Sequence, residues 1–189
     1  TTASIIASNG TPVCTQDQTP YNNITQSQAK GLAESMYTST TFTCTLPTGA
    51  SWDRTLGWIE ETGDKTLSKI VYNSTSFGNY YNATFNITRG KYSANNGPSY
   101  TAVSSSYTKP ENNSVLLTTG AAPSRNVSNS IYDLAGNVWE WTTEVDGSSL
   151  VSRGGSYDDS GDDAQVSNRV NDSATSYNCN VGFRPALYL

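Results

Sequence analysis

Residues 131–144 read IYDLAGNVWEWTTE, and this stretch decides the fold. Its apolar side chains are concentrated on either side of a Gly136-Asn137 pair. Both residue types tolerate a left-handed backbone, which is typical of a tight turn. The run after the pair carries Trp139 and Trp141, whose large apolar surfaces favour burial. We therefore predict dense apolar anchors around a turn, the strongest local pattern of the chain.

Two short segments follow, and they enclose a long polar stretch. Residues 153–156 read RGGS and residues 182–185 read GFRP. Between these anchors the sequence has no helical or strand period, so we expect irregular loops. Residues 157–180 hold five Asp and one Arg, a net charge of −4, whereas the whole chain carries −5. This acidity excludes a nucleic-acid partner, because phosphate binding needs a basic face.

The bulk composition indicates one folded domain over residues 1–189, with residues 1–24 as an N-terminal extension. Hydrophobic residues make up 35% and charged residues 14%, and twelve Tyr and four Trp supply contact area. No apolar run approaches about 18 residues, so we expect no membrane insertion. Cys14 and Cys44 either form a disulfide or stay free and buried, and Cys179 has no evident partner.

Two amphipathic helices are predicted in the N-terminal half. Residues 25–36, TQSQAKGLAESM, place apolar side chains at i, i+3, i+4 and i+7 behind a Thr-x-x-Gln capping box. Residues 48–63, TGASWDRTLGWIEETG, form the second helix, with Thr48 or Ser51 as its cap. Both helices must cover a core made elsewhere.

Strand signals surround these helices. TTFTCTLP (residues 40–47) is strand-like, and VGFRPALYL (residues 181–189) predicts a final strand. Residues 65–122 predict loops and short strands around KIVY and SVLLT. Regular elements that bracket irregular ones indicate an α+β class with large loops.

YDLAGNVWEWT, SRGGSY and NVGFRPAL, in this order, resemble the formylglycine-generating-enzyme (sulfatase-modifying factor) superfamily. LPTGASWDRTLGWI is similar to a further segment of that family, with Ser51 where the family has Glu, and the likeness covers residues 25–189. It implies a C-type lectin fold of the formylglycine-generating-enzyme type, with two helices in the N-terminal half, short strands and large irregular loops. In such a fold Arg153 and Arg184 would tie loops by several hydrogen bonds.

The family's enzymes oxidise a substrate cysteine with a pair of cysteines between RGGS and GFR, and this interval holds only Cys179. Related sulfoxide synthases use a His-based iron site, and the chain has no His. We therefore predict no enzyme activity, no catalytic residue and no cofactor.

A structural Ca²⁺ is left open by the resemblance, near the turn and involving Gly136, Val138 and Glu140. The acidic run DDSGDD, residues 158–163, fails the spacing of a calcium loop, and its alternative is a solvated acidic loop. No metal site is assigned.

The chain also resembles the variable proteins of diversity-generating retroelements, found on phage tails and on bacterial or archaeal surfaces. In these proteins a mutagenic reverse transcriptase rewrites the adenines of Asn codons near the C-terminus. Such a codon, AAC or AAT, cannot yield Lys, Glu, Gln, Met or Trp. Residues 158–180 hold one residue of these types, Gln165, against 20 in the other 166 residues.

This resemblance implies a hypervariable ligand-binding region over residues 153–185. The predicted binding residues are Tyr157, Asp158, Asp159, Asp162, Asp163, Ala164, Val170, Asn171, Asp172, Ser173, Ser176, Tyr177, Asn178, Cys179 and Asn180. Tyr157 and Tyr177 would be aromatic anchors, as in an antibody paratope, and the Asp residues would favour a basic partner. Ser160, Gly161, Ser167, Asn168 and Arg169 are interpreted as fixed scaffold between them.

The partner implied is a protein or glycan on a target cell, and the location is extracellular, on a phage or virus particle or a prokaryotic cell surface. Two other classes stay open. One is a conventional sugar-binding lectin, although no Glu-Pro-Asn or Gln-Pro-Asp motif occurs. The other is a non-catalytic structural paralogue of the enzyme family.

Overall fold

The computed structural model describes residues 12–94, 99–122 and 127–189. The predicted helices are present as α1 (Gln26–Met36) and α2 (Gly49–Glu61), followed by a π-helical turn at Ser68–Tyr72. The strands of the described residues are β1 (Thr43–Thr45), β2 (Phe85–Ile87), β3 (Lys91–Ala94), β4 (Thr101–Ala102), β5 (Tyr107–Lys109), β6 (Val115–Leu117), β7 (Val127–Ser128), β8 (Ile131–Tyr132), β9 (Trp139–Asp146), β10 (Ser149–Arg153), β11 (Arg169–Asp172), β12 (Val181–Gly182) and β13 (Ala186–Tyr188). This mixture of few helices and short strands confirms the α+β class.

Helix α1 begins at the capping box that its sequence predicts. The Thr25 hydroxyl accepts from the Gln28 N–H, and the Gln28 side chain accepts from the Thr25 N–H at 3.1 Å. Two otherwise unpaired N–H groups are thereby satisfied. Ala29 and Ala33 are fully buried, in the same apolar cluster as the two tryptophans of β9. Helix α1 therefore covers one face of β9.

Helix α2 is capped by Thr48, whose hydroxyl accepts from the Ser51 N–H at 2.9 Å. Ser51 instead lies 2.9 Å from the Tyr188 hydroxyl of β13, so it joins the helix to the last strand. The buried face of α2 carries the predicted residues Trp52, Leu56 and Ile59.

A four-stranded sheet of order β11-β10-β9-β12 is the centre of the fold. Strand β10 is antiparallel to both β9 and β11, and β12 runs parallel to β9. Strand β13 pairs with β1, whereas β12 pairs with β9. The final segment therefore forms two short strands, β12 and β13, and not the single strand predicted. Pro185 lies between them and cannot donate a ladder hydrogen bond.

The sequence predicts loops and short strands around two apolar segments outside this sheet. SVLLT forms β6, which is buried along its length. KIVY, in contrast, belongs to the π-helical turn, where Ile70 is buried while Val71 and Tyr72 are exposed. Ile70 is thus the buried side chain of this turn.

The structure shows no Cys14–Cys44 disulfide, and the alternative that both thiols are free and buried is right for Cys44 but wrong for the burial of Cys14. Cys14 is exposed, Cys44 is buried in β1, and both thiols are free. Residues 1–11 of the predicted N-terminal extension lie outside the described residues.

The Gly136-Asn137 turn bonds the central sheet to β6. Its φ angles are +68° and +67°, and a Cβ at Gly136 would lie 2.2 Å from the Asn79 carbonyl oxygen. The Asn137 side-chain oxygen accepts from the Leu117 N–H and the Asn79 amide, both at 3.0 Å. Its amide donates back to the Leu117 carbonyl at 3.2 Å. The turn is therefore fixed by buried bonds on both sides.

Arg153, at the end of β10, ties the polar stretch to the core. Its side chain is fully buried, and its guanidinium donates to the Ser167 carbonyl at 2.9 Å and pairs with Asp53 of α2. The guanidinium carbon lies 5.8 Å from the centroid of a Trp52 ring. Burial lowers the pKa of Arg153 and the Asp53 carboxylate raises it. The loop-tying role predicted for this residue is confirmed, and we call these contacts the Arg153 clamp.

Replacing Asn137 by Ala should lower the free energy of unfolding by about 3 kcal/mol. The buried Leu117 N–H loses its partner, and Ala is strained at a positive φ. Urea unfolding followed by tryptophan fluorescence measures the loss. Asn137→Gly relieves the strain alone, so it should recover less than half of the loss. Full recovery in Asn137→Gly would show that the side-chain bonds do not hold the turn.

Arg153→Met should lower the free energy of unfolding by about 3 kcal/mol, because buried carbonyls lose their donor. The matched control is Arg169→Gln, which removes a cation from the same Asp53 at a half-exposed position. That variant should cost less than about 1 kcal/mol. Amide hydrogen exchange in residues 165–169 should speed up in the first variant only. Equal losses in both variants would contradict the clamp.

Candidate functional site

The side chains of strand β11 lie on two faces of the sheet, since successive residues of a strand point to opposite sides. Arg169 and Asn171 donate to acidic side chains of β9, each at 2.7 Å. Val170 and Asp172 lie on the other face, where they line a groove of about 280 Å³. The polar stretch thus supplies bonded residues to one side of the sheet and groove residues to the other.

Residues from all four strands of the sheet line the groove. They are Trp139 and Trp141 of β9, Ser152 of β10, Val170 and Asp172 of β11, and Val181 of β12. The loop of residues 173–180 closes the groove with Ser176, Tyr177, Asn178 and Asn180. Six of these ten lining residues belong to the predicted binding set, so the fold brings part of that set together.

The loop of residues 173–180 is fixed through its backbone. The backbone oxygens of Asn178, Cys179 and Asn180 accept hydrogen bonds from Asn23, Asn22 and Trp139, over 2.5 to 3.0 Å. A bond to a backbone oxygen does not depend on the side chain that the residue carries. Tyr177 remains 67% exposed at the groove.

The chemistry of the groove is set by Asp172. Burial raises the pKa of its carboxyl group, and the Ser152 hydroxyl offsets part of that rise. Both indole N–H groups of the groove are engaged elsewhere: that of Trp139 donates to the Asp159 carboxylate and that of Trp141 to a backbone oxygen, each at 2.8 Å. The two indoles therefore have no free donor, and both tryptophans are buried beneath the groove.

Tyr157 does not lie on this surface, and its predicted role as an exposed anchor is wrong. It is fully buried and packs with Leu116 and Val138. Its N–H donates to the Asn137 carbonyl at 3.1 Å, which holds its backbone against the turn. Burial also raises the pKa of its hydroxyl, which lies 3.7 Å from the Cys179 sulfur.

The acidic run 158–163 does not line the groove either. Asp158, Asp159 and Asp162 accept hydrogen bonds from Ser114, Trp139 and Asn82. The hydrogen bond from the Ser160 hydroxyl lowers the pKa of Asp162. Asp163 is exposed. As ligand contacts these positions stay predictions.

The remaining predicted residues are divided between interior and surface. Ala164 is buried in the cluster around Trp139 and Trp141, so a contact role for it is wrong. Ser173 is exposed but does not line the groove. The four lining residues that were not predicted are the two tryptophans, Ser152 and Val181. The sequence could have indicated the two tryptophans, because residues two apart in a strand point to the same face and Trp139 and Trp141 are so spaced.

A larger cavity, about 520 Å³, lies between residues 12–21 and residues 130–133. Its cation Arg184 forms two hydrogen bonds with Glu140 and donates at 3.2 Å to backbone oxygens of residues 132 and 133. Burial raises the pKa of Glu140, and Arg184 lowers it. The carboxylate of the calcium site that the resemblance leaves open is thus bonded to Arg184, and whether Gly136, Val138 and Glu140 hold a structural calcium stays an open alternative.

Among the described residues, no three His, Cys, Asp or Glu side chains are grouped as a metal site requires. In the same part of the chain, no helix is long and apolar enough to cross a membrane.

Comparison with known proteins agrees with this architecture. The family model described as a sulfatase-modifying factor enzyme 1-like domain matches residues 6–188. The structure of Treponema denticola variable protein 1 is similar, with a TM-score of 0.54 and 19% identity, over 96% of this chain and 76% of that one. The structure of CarF is also similar, with a TM-score of 0.59 and 17% identity, over 89% of this chain and 67% of that one. No curated protein sequence matches the chain.

The family match spans nearly the whole chain, and both structural likenesses extend over most of it. The chain therefore belongs to the sulfatase-modifying factor enzyme 1-like family, with the C-type-lectin fold of the formylglycine-generating-enzyme type.

Proposed function

We propose that this domain is a non-catalytic ligand-binding module that displays a hypervariable C-terminal surface diversified by a retroelement. One observation carries the proposal. Six residues of the polar stretch line one groove, while bonds to the rest of the domain fix the backbone that carries them. Their side chains can therefore change without loss of these backbone bonds.

The identities of the groove residues support this division. The six residues from the polar stretch are Val170, Asp172, Ser176, Tyr177, Asn178 and Asn180, and each is a product of adenine changes in an AAC or AAT codon, or is Asn itself. Trp139 and Trp141 cannot arise from such codons, and they form the groove floor. We call these six residues the groove rim. Diversification requires rim residues that can change and a floor of residues that cannot.

The cysteines support a non-catalytic role. Cys14 is exposed, Cys44 is buried in β1, and Cys179 lies beside the Tyr157 hydroxyl, all as free thiols. The resembling enzymes oxidise their substrate with two cysteines between the RGGS and GFR anchors. This chain has a single one there.

The partner we propose is a protein or glycan on a target cell, met by the domain on the outside of a phage or virus particle or of a prokaryotic cell. The exposed Tyr177 and the small polar side chains around it form a paratope-like surface. Tyrosine gives large contact area at low entropy cost, and small polar groups give adaptable hydrogen bonds. The net charge of −5 disfavours nucleic acid.

Copies of this gene from related genomes test the proposal. We expect them to differ at adenines of a neighbouring template repeat, in codons for groove residues such as Asp172 and Tyr177. Codons for Trp139, Trp141 and Arg153 should be unchanged, since they form the floor and the clamp. Sequencing of sister copies and of the flanking region provides the measurement. Differences spread evenly along the gene, as in a conventional lectin or a structural paralogue, would contradict diversification.

A further inference from the structure

We propose that the groove of this chain accepts one arginine side chain of a protein partner, with Asp172 as its counter-charge and Tyr177 as its aromatic cover. This inference rests on the proposed function and goes beyond it by naming the chemistry of the partner.

The charge of the groove comes from Asp172. It is the one acidic residue among the ten that line the groove, and none of the ten is Lys or Arg. The nearest cation along the strand, Arg169, pairs with Asp53 and Glu144 on the opposite face of β11. None of the ion pairs between described residues includes Asp172. A half-buried carboxylate in this position is stabilised when a cation replaces the water around it.

Two other polar groups of the groove, Asn180 and Ser176, retain acceptors. The Asn180 amide donates to the Ser156 hydroxyl at 3.4 Å, which leaves its oxygen for a ligand. Ser176 lies within 3.0 Å of the Ser173 hydroxyl, and a serine oxygen retains acceptor capacity. Both indole N–H groups are occupied elsewhere. A guanidinium has five N–H donors and no acceptor, so it matches this set. An anionic ligand would instead be repelled by the Asp172 carboxylate.

The aromatic and steric properties favour arginine over lysine. Tyr177 is 67% exposed, so its ring is available to cover a ligand. A planar guanidinium stacks on an aromatic face and also forms paired hydrogen bonds with a carboxylate, whereas an ammonium acts as a point charge. The groove volume of about 280 Å³ lies just below the range of about 300–1,000 Å³ for sites that hold drug-sized ligands. A single side chain therefore suits it better than a larger group.

The proposal is tested with a blocked peptide, Gly-Gly-Arg-Gly-Gly, and analogues with lysine or citrulline in place of arginine. Each is titrated into the ¹⁵N-labelled domain while the Trp139 indole signal and the amide signals of residues 170–180 are followed by NMR. We expect the arginine peptide to bind in the millimolar range, typical of one anchoring side chain. It should bind at least about threefold more tightly than the lysine peptide, because an ammonium cannot form the paired planar bonds. It should bind about tenfold more tightly than the citrulline peptide, because neutral citrulline cannot form the ion pair.

Variants of the groove provide the second part of the test. Asp172→Asn should weaken arginine binding at least about tenfold, and Tyr177→Ala about threefold. The matched control is Glu111→Gln, which removes an equal charge from an exposed position outside both the groove and the predicted binding set. It should leave the dissociation constant within about twofold, because exposed charges at a distance are screened.

Four outcomes would overturn the proposal: no binding of the arginine peptide at about 10 mM, equal binding of arginine and citrulline, equal effects of Asp172→Asn and Glu111→Gln, or groove shifts with N-acetylglucosamine and none with arginine. Adenine-confined variation among sister copies would leave the proposed function standing in each of these cases. The two proposals can therefore fail separately.

Discussion

The Arg153 clamp connects the irregular stretch that carries the groove to the regular part of the domain. A buried guanidinium is costly unless it is paired and hydrogen-bonded. Arg153 meets this condition through Asp53, the Ser167 carbonyl and the Trp52 ring. Because these partners come from α2 and from the stretch itself, one side chain fixes where the stretch returns to the sheet. The register of β11 against β10 places Arg169 opposite Arg153 and Asp172 opposite Leu150, with Val170 and Asp172 on the groove face.

The site follows from a separation between backbone and side chains. The loop of residues 173–180 is held at its carbonyl oxygens, and β11 is held by its ladder with β10. Neither kind of bond depends on side-chain identity. The apolar floor is formed by Trp139 and Trp141, whose N–H groups are bonded outside the groove. The rim can consequently vary in charge, size and polarity while the floor and the fold persist.

The elements with a clear period or cap could be predicted from the sequence. Helix α1 with its Thr25 box, the apolar face of α2 and the Gly136-Asn137 turn depend on neighbouring residues, so local patterns contain them. The burial of Tyr157 could not be predicted, because its partner Leu116 lies 41 positions earlier in the chain. The groove floor was missed for a similar reason. Strand order decides which side chains share a face, and the polar stretch has no period that reveals its order.

The central claim is that the groove rim can vary while the anchors cannot, and a pair of displayed libraries tests it most directly. In one library the six groove positions from 170 to 180 are randomised with NNC and NNT codons; in the other, Asn137, Arg153 and Gly154 are randomised in the same way. The fraction of members that resist protease is measured for each. We expect most of the groove library and few of the anchor library to resist, because the loop is held mainly at its backbone oxygens, whichever side chains the groove residues carry. A groove library that is cleaved as readily as the anchor library would contradict the claim.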